Sequence, residues 1–215
     1  MGIIKQNPIK GFEIITENTQ KDSLTFEDIT KLSELEIHPR FKGMIKARDL
    51  FLFSFYTAGM RFSDLCRLKW ENIIRNEIIY TMHKSRTRAG AKRTLPLTPK
   101  AVAILDKYKG RKNIFVFPPL YGMDKKSLEE IEHKLYIANN ATNRSLRIVC
   151  EKAGIKKWVN MHMAKHSFAD FAVKNNSGIL MISKLLGHTK LSTTQHYLKD
   201  FYHKEEAEEI NRLFG

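Results

Sequence analysis

A histidine and a tyrosine near the end of the chain stand in a stretch rich in Ser and Thr. His188 follows Gly187, and Tyr197 comes after eight further residues. Gly187 can end a helix, His188 can direct a hydrogen-bond donor into a cleft, and Tyr197 can leave the next helix with its hydroxyl free. A free hydroxyl beside such a donor suits nucleophilic catalysis. A helix end followed by an ordinary amphipathic tyrosine is the alternative interpretation.

An arginine and an aspartate lie one helical turn apart in the first half of the chain. Arg61 comes two residues after Gly59, which is placed to end an apolar helix, and Asp64 follows three residues later. A planar guanidinium can bind two oxygens of one phosphate, and a carboxylate can orient neighbouring groups by hydrogen bonding. Arg61 can therefore bind a phosphate that Asp64 helps to orient, and an exposed ion pair of little energy is the alternative interpretation.

A basic hairpin is predicted between residues 78 and 97. Residues 78–82 and 93–97 favour β-structure, and a basic connection that contains glycine joins them. Lys84 stands at the end of the first strand, where a mobile ammonium group can protonate a departing oxygen. Lys92 is a second candidate for that role, and either lysine can instead be a simple phosphate contact.

Two histidines and a lysine share a third segment. His162 and Lys165 are three residues apart and would lie on one helix face. An imidazole titrates near neutral pH, so His162 can hold a proton or donate to a phosphate oxygen. His162 and His166 also have the spacing of two metal ligands on a helix, but the general-base Glu and a third ligand are not evident. No metal is therefore expected, and His166 is predicted to be a structural donor.

Taken in order, these segments resemble the tyrosine recombinases of the phage integrase family. The similarity spans residues 24–198 and includes the Leu-Gly-His turn with a tyrosine nine residues on, the first catalytic Arg, the hairpin lysine and a His-x-x-Arg box followed by His-Ser-Phe-Ala. Lys165 departs from this pattern, since the family has its second Arg there. Lysine keeps the positive charge but loses the bidentate fork, so weaker transition-state stabilisation is expected.

The resemblance implies that Tyr197 attacks a DNA phosphate, forms a 3′-phosphotyrosyl link and frees a 5′-hydroxyl. No energy source, cofactor or metal is expected. His162 would be the base and Lys84 the acid, and the other groups would stabilise the charge on the pentavalent phosphate. The expected catalytic residues are Arg61, Lys84, His162, Lys165, His188 and Tyr197, and the expected supporting residues are Asp64 and His166.

The charge of the chain favours a polyanionic partner. Lys and Arg number 37 against 23 Asp and Glu, which gives a formal net charge of +14. Each neutralised phosphate releases counterions, so nucleic acid is the expected partner, and the resemblance implies that it is double-stranded DNA. The resemblance makes attachment or recombination sites the expected DNA and adds self-association into a synaptic tetramer. A merely soluble basic surface is the alternative.

The sequence predicts a cytoplasmic protein that uses no membrane. No apolar run is long enough to cross a bilayer, the start lacks the zones of a secretory signal, and only Cys66 and Cys150 could pair. By resemblance, a bacterium, a phage or another mobile element is expected to encode it.

The apolar pattern predicts a mainly α fold with one small antiparallel β-hairpin, and the resemblance implies the tyrosine recombinase catalytic-domain fold. Thr25 and Thr98 are predicted helix caps, and Ser63 is predicted to cap a short helix. The stretch from Gly43 to Tyr56 is apolar on almost every side and should form a buried helix. Further helices are predicted over residues 128–136, 143–153, 162–173, 179–186, 192–198 and 204–213.

Three regions are expected along the chain. Residues 1–23 are irregular and polar, as in a linker, and the N-terminal DNA-clamping domain of the family is expected to be absent. Residues 24–200 form the predicted catalytic domain. Residues 201–215 have apolar side chains at helical spacing, and the family's use of such a helix implies docking onto a neighbouring protomer.

Three other functions are compatible with parts of this pattern. A DNA-binding member of the same fold that is catalytically impaired would explain Lys165. A type IB topoisomerase shares the chemistry, but the small size and the Leu-Gly-His segment argue against it. A helical transcription factor would explain the charge but not an ordered set of catalytic residue types.

Overall fold

The computed structural model describes residues 22–83, 92–188 and 191–195. These residues form a mainly helical fold with one small sheet, as the sequence predicts. The α-helices are α1 (Phe26–Glu34), α2 (Lys42–Tyr56), α3 (Phe62–Cys66), α4 (Pro99–Asp106), α5 (Leu128–Lys152), α6 (Met163–Lys174), α7 (Ile179–Leu186) and α8 (Ser192–Gln195). Within the described ranges, no helix is both long and apolar enough to span a membrane.

Helix α2 forms the centre of the core. Its side chains are buried on nearly every side, and Phe51 and Phe53 are fully enclosed. Helices α1, α4, α5 and α6 all pack against it. The prediction of a buried helix at this position is confirmed. The turn that follows α2 lies between α6 and the sheet, because Gly59 lines a small cavity with Lys165 and Tyr80.

The sheet contains three antiparallel strands, β1 (Ile73–Ile74), β2 (Glu77–Thr81) and β3 (Lys92–Pro96), in the order β1-β2-β3. The predicted hairpin is therefore confirmed, and β1 is an addition that the sequence analysis did not predict. Tyr80 pairs with Arg93, and both side chains are buried. The inner face of the hairpin thus carries a cation into the interior of the domain.

Helices α1 and α4 begin at threonine caps that bond to backbone N–H groups three residues further along the chain. The Thr25 hydroxyl accepts from the Asp28 backbone N–H at 3.1 Å, and the Asp28 carboxylate accepts from the Thr25 N–H at the same distance. Thr98 likewise accepts from the Ala101 N–H, with Pro99 in the first turn of α4. Both predicted starts are confirmed.

Some predicted element boundaries are wrong. Ser63 does not cap α3, because Arg61 occupies the N-cap position and Ser63 lies inside the helix. The helices predicted over residues 128–136 and 143–153 are one continuous helix, α5, which a capping box of Ser127 and Glu130 starts. His162 stands at the N-cap position of α6 rather than inside it. The helix predicted over residues 204–213 lies outside the described residues.

Candidate active site

A left-handed turn after α2 brings the chain into direct contact with α6. Ala58 has φ 58° and Gly59 has φ 70°, so the backbone reverses within two residues. A Cβ atom on Gly59 would lie 2.7 Å from Cα of Lys165. Only glycine fits this approach, and it places Arg61, two residues on, beside the first turn of α6.

Three of the six predicted catalytic residues line one cleft. Arg61, His162 and Lys165 lie around a space of about 430 Å³, together with Glu132 and Tyr136 of α5. His162 is exposed and Lys165 is buried, with 7% of its surface accessible. The exposed imidazole of His162 can transfer a proton at the rim of the cleft. The buried ammonium of Lys165 supplies a fixed positive charge below the rim.

The turn that carries His188 packs behind this cleft. Gly187 ends α7 with φ 67°, and the Lys165 ammonium donates to the Leu186 carbonyl at 3.2 Å. His188 Nδ1 lies 2.9 Å from the hydroxyl of Thr194, a buried residue of α8. His188 is not among the residues that line the cleft itself. The position of the His188 side chain depends instead on the turn after α7 and on its contact with α8.

Two of the predicted catalytic residues, Lys84 and Tyr197, lie outside the described residues. Their nearest described neighbours are nevertheless fixed. Lys84 follows His83 at the end of the first hairpin strand, and Tyr197 comes two residues after Gln195, the last described residue of α8. The assignments of Lys84 and Tyr197 remain predictions.

Asp64 fixes the end of the hairpin strand. Its carboxylate is buried and accepts the His83 backbone N–H at 2.8 Å. Burial raises the pKa of the Asp64 carboxyl above its ordinary value, although the His83 N–H and the charge of Arg61 oppose that rise. Asp64 therefore acts mainly as a hydrogen-bond acceptor, in line with its predicted supporting role.

A surface cluster holds the same strand end from outside. One carboxylate oxygen of Glu132 lies 2.9 Å from His83 Nε2 and 2.5 Å from an Arg67 guanidinium nitrogen. Glu132 is on α5 and also lines the cleft. Because Arg67 follows α3 and His83 follows β2, this cluster joins α3, α5 and the hairpin one residue before Lys84 in the sequence.

Asp64→Asn tests the acceptor role. The amide oxygen can keep the bond to the His83 N–H, so the free energy of unfolding at about pH 7 should change by less than about 1 kcal/mol, whereas Asp64→Ala should lower it by about 2 kcal/mol. The raised pKa contributes stability that is present below the ordinary value of 3.8 and is lost as pH rises through the folded value. Asn does not ionise, so the variant does not lose this stability as the pH rises. Asp64→Asn should therefore gain stability relative to the unchanged chain between about pH 3 and about pH 7.

Urea unfolding of the three proteins across that pH range makes this measurement. If Asp64→Asn loses stability relative to the unchanged chain as the pH rises, the ionised carboxylate is the stabilising form. The account of Asp64 as a carboxyl whose pKa is raised by burial would then be wrong.

The ring of His166 packs against that of His162, one helical turn away. The rings of His162 and His166 meet edge to face, with centroids 4.7 Å apart. Among the described residues, no three His, Cys, Asp or Glu side chains are grouped in a way that could hold a metal ion. The contact orients the exposed ring of His162, which suits the supporting role predicted for His166.

Arg93 is a buried cation of the site that the sequence analysis missed. Its guanidinium donates to the Leu185 carbonyl and lies near the sulfur of Met82. Together with Arg61, Asp64 and Lys165 it lines a small inner cavity behind the cleft. The signal was the period of two through β3, where Arg93 and Leu95 alternate with exposed residues, as does Leu97 just after the strand.

Comparison with known proteins places this arrangement in a family. The model of the phage integrase family matches residues 23–204, which is most of the chain. The chain belongs to the phage integrase family. Among curated members of similar sequence, tyrosine recombinase XerC of Thermodesulfovibrio yellowstonii is 29% identical over 204 residues, and tyrosine recombinase XerA of Pyrococcus furiosus is 32% identical over 197 residues. Each alignment covers 91% of this chain and 64% of the relative.

Solved structures share the fold. The integrase of transposon Tn1549, in complex with transposon right-end DNA, superposes with a TM-score of 0.71 at 16% identity. That match covers 99% of this chain and 73% of the integrase. The tyrosine recombinase catalytic-domain fold expected from the sequence is thereby confirmed.

Proposed function

We propose that this chain is a site-specific DNA recombinase that cleaves and rejoins strands through a 3′-phosphotyrosyl link at Tyr197. The observation that carries the proposal is the cleft in which Arg61, His162 and Lys165 meet, within a chain of the phage integrase family. The curated relatives named above are tyrosine recombinases, and this chain spans 64% of their length. Activity, substrate and partners of the whole protein are therefore part of the proposal.

In the proposed reaction, the Tyr197 oxygen bonds to the phosphorus while the bond from phosphorus to the 5′ oxygen breaks. His162 takes the tyrosine proton and Lys84 gives a proton to the departing 5′ oxygen. Arg61, Lys165 and His188 stabilise the negative charge on the pentavalent phosphate. The reverse attack by a 5′-hydroxyl of a partner strand rejoins the DNA, so the phosphodiester energy is conserved and no cofactor is needed.

The DNA is proposed to run from the cleft along α5. Tyr136 lines both the cleft and a neighbouring surface depression of about 470 Å³, which Asn140, Arg144 and Arg147 also line. Arg144 is exposed, and the Arg147 guanidinium stacks 3.7 Å above the ring of Trp158. Amide and guanidinium groups on one helix face suit contacts with phosphates and base edges.

Arg144→Gln tests this path. If Arg144 contacts a phosphate, the dissociation constant for DNA should rise about fivefold, and the slope of log affinity against log salt should fall by about one. The rate of covalent complex formation at saturating DNA should not change. Fluorescence anisotropy at several salt concentrations measures both quantities.

Arg111→Gln is the matched control, because Arg111 is an exposed arginine that stacks on Tyr108 and lines neither depression. Both variants remove one positive charge, so a general loss of electrostatic attraction would affect them equally. Equal changes in the two variants would contradict the α5 path.

Self-association into a synaptic tetramer on DNA and a cytoplasmic location complete the proposal. Both buried cysteines are free thiols, as expected in a reducing compartment. Residues 201–215, predicted to dock onto a neighbouring protomer, lie outside the described residues.

Covalent trapping tests the proposed function. Nicked suicide duplexes with a randomised core are mixed with the chain, and complexes that survive denaturing electrophoresis are recovered. Sequencing of the trapped DNA gives the preferred site, and mass spectrometry of the tryptic peptides locates the nucleotide adduct. We expect the adduct on Tyr197 and no complex with Tyr197→Phe.

The same experiment separates the alternatives. If the chain and Lys165→Arg both bind DNA but neither forms the adduct, a DNA-binding protein without catalysis replaces the proposal. If the adduct forms and supercoiled plasmid is relaxed without strand exchange between duplexes, the enzyme is a type IB topoisomerase.

A further inference from the structure

The guanidinium of Arg93 is held in the interior between the hairpin and α7. Only 9% of the residue is exposed. One nitrogen donates to the Leu185 carbonyl, and the other lies 3.9 Å from the sulfur of Met82. A Cβ atom added to Gly187 would collide with that second nitrogen. The side chain therefore packs directly on the backbone of the turn that precedes His188.

Two cations meet the C-terminal end of α7. Arg93 of β3 donates to the carbonyl of Leu185, and Lys165 of α6 donates to the carbonyl of Leu186. The last carbonyls of a helix lack partners within the helix and carry partial negative charge. The two bonds satisfy these acceptors, and they tie one end of α7 to two separate elements.

The turn held in this way leads directly to site residues. Gly187 ends α7 in the left-handed conformation, and His188 then bonds to Thr194 of α8. The hairpin on the other side of Arg93 leads to Lys84, the residue after His83. Arg93 also lines the inner cavity with Arg61 and Lys165. Arg93 thus connects the hairpin to the His188 turn at the back of the cleft by a hydrogen bond, and the sulfur of Met82 packs beside it against Gly187.

We infer that Arg93 is a positioning residue for strand cleavage, which fixes the His188 turn relative to the hairpin and to Arg61. This inference rests on the proposed function. Loss of the guanidinium leaves the Leu185 carbonyl without this donor and opens space beside Gly187. The turn then shifts, and His188 and α8 shift with it. Because a displacement of about 1 Å can cost about 100-fold in rate, the chemical step should slow while DNA binding is retained.

The experiment compares Arg93→Met, Arg93→Lys and Arg48→Met. Met keeps most of the buried apolar volume without the charge, and Lys restores a donor. Arg48 is the matched control, because it is a largely buried arginine that donates to a backbone carbonyl, that of Leu35, and it lines neither cavity. Two readouts are taken for each folded variant. One is the position of the His188 ring resonances in NMR spectra of the free protein, identified with His188→Gln, and the other is the cleavage rate on suicide DNA.

Arg93→Met is expected to move the His188 resonances and to lower the cleavage rate at saturating DNA about 100-fold, with the half-saturating DNA concentration changed less than about threefold. Arg93→Lys should recover part of the rate. Arg48→Met should change neither readout, even if its melting temperature falls.

Unmoved His188 resonances in Arg93→Met would overturn the inference, and so would a cleavage rate no lower than that of Arg48→Met. If no version of the chain forms a covalent complex, the proposed function fails. The His188 resonances, which require no DNA, then decide whether Arg93 fixes the turn.

Discussion

Arg61→Gln is expected to lower the rate of covalent complex formation about 1,000-fold, the scale seen when one donor to a developing charge is removed. Arg61 lines both the outer cleft and the inner cavity, so its guanidinium lies where the two spaces meet. Its nitrogen is 3.6 Å from the sulfur of Met82, a weak acceptor. A phosphate in the cleft would receive from Arg61 the bidentate contact that Gln cannot make.

The fold should survive this substitution. Arg61 stands at the N-cap position of α3, and no hydrogen bond from its side chain caps the helix. Its charge lowers the pKa of Asp64, so removing it should raise that pKa further without disturbing the bond to the His83 N–H. The melting temperature of Arg61→Gln should stay within a few degrees of the unchanged chain.

Single-turnover trapping on suicide DNA provides the measurement, with anisotropy titrations of the same DNA beside it. Arg111→Gln removes one equivalent charge from a residue that lines neither cavity and should leave the trapping rate unchanged. A rate for Arg61→Gln within tenfold of that control would mean that Arg61 does not bind the reacting phosphate.

The sequence predicts this site best where its signals are local. The bounds of α7, residues 179–186, are correct because Gly187 ends the helix by its own conformational preference. The cap of α1 and the hairpin are also set by residues close in sequence. The sequence analysis predicts two helices where the structure has the single helix α5, which packs against α2. Packing of this kind can override local helix propensity.

Long-range contacts explain what the sequence could not provide. The contact of Gly59 with Lys165 joins residues that are far apart in the chain, and so does the bond from Arg93 to Leu185. The sequence shows that Arg93 occupies a buried position of an alternating strand, but it does not show that its partner is the Leu185 carbonyl. The bond of His188 to Thr194 likewise depends on how α8 folds back on α7. The sequence therefore predicts which residues form the site, but not the long-range contacts that position them.

Lys165→Arg is expected to raise the rate of covalent complex formation roughly 50-fold, because a planar fork replaces a point charge beside the phosphate. The substitution leaves the contact with Gly59 unchanged. Gly59 packs on Cα, Cβ and Cγ of Lys165, and arginine has the same three atoms. Lysine has three N–H donors and already commits one to the Leu186 carbonyl. Arginine has five, so it can keep that bond and still bind two phosphate oxygens.

Lys174→Arg is the matched control for this gain. Lys174 is on the same helix, α6, but pairs with Asp170 at the surface, 3.0 Å away. The same chemical change there should leave the single-turnover rate unaltered. Lys165→Met completes the set, because it removes both the charge and the donor to Leu186 and should slow cleavage below the rate of the unchanged chain.

The three rates distinguish two roles for Lys165. If arginine raises the rate and methionine lowers it, Lys165 contacts the reacting phosphate, and lysine at this position limits the enzyme. If arginine and lysine give the same rate while methionine lowers it and moves the His188 resonances, Lys165 acts only through the Leu186 carbonyl. Its charge would then belong, with that of Arg93, to the pair of cations that hold the end of α7, and Arg61 alone would bind the phosphate from this side of the cleft.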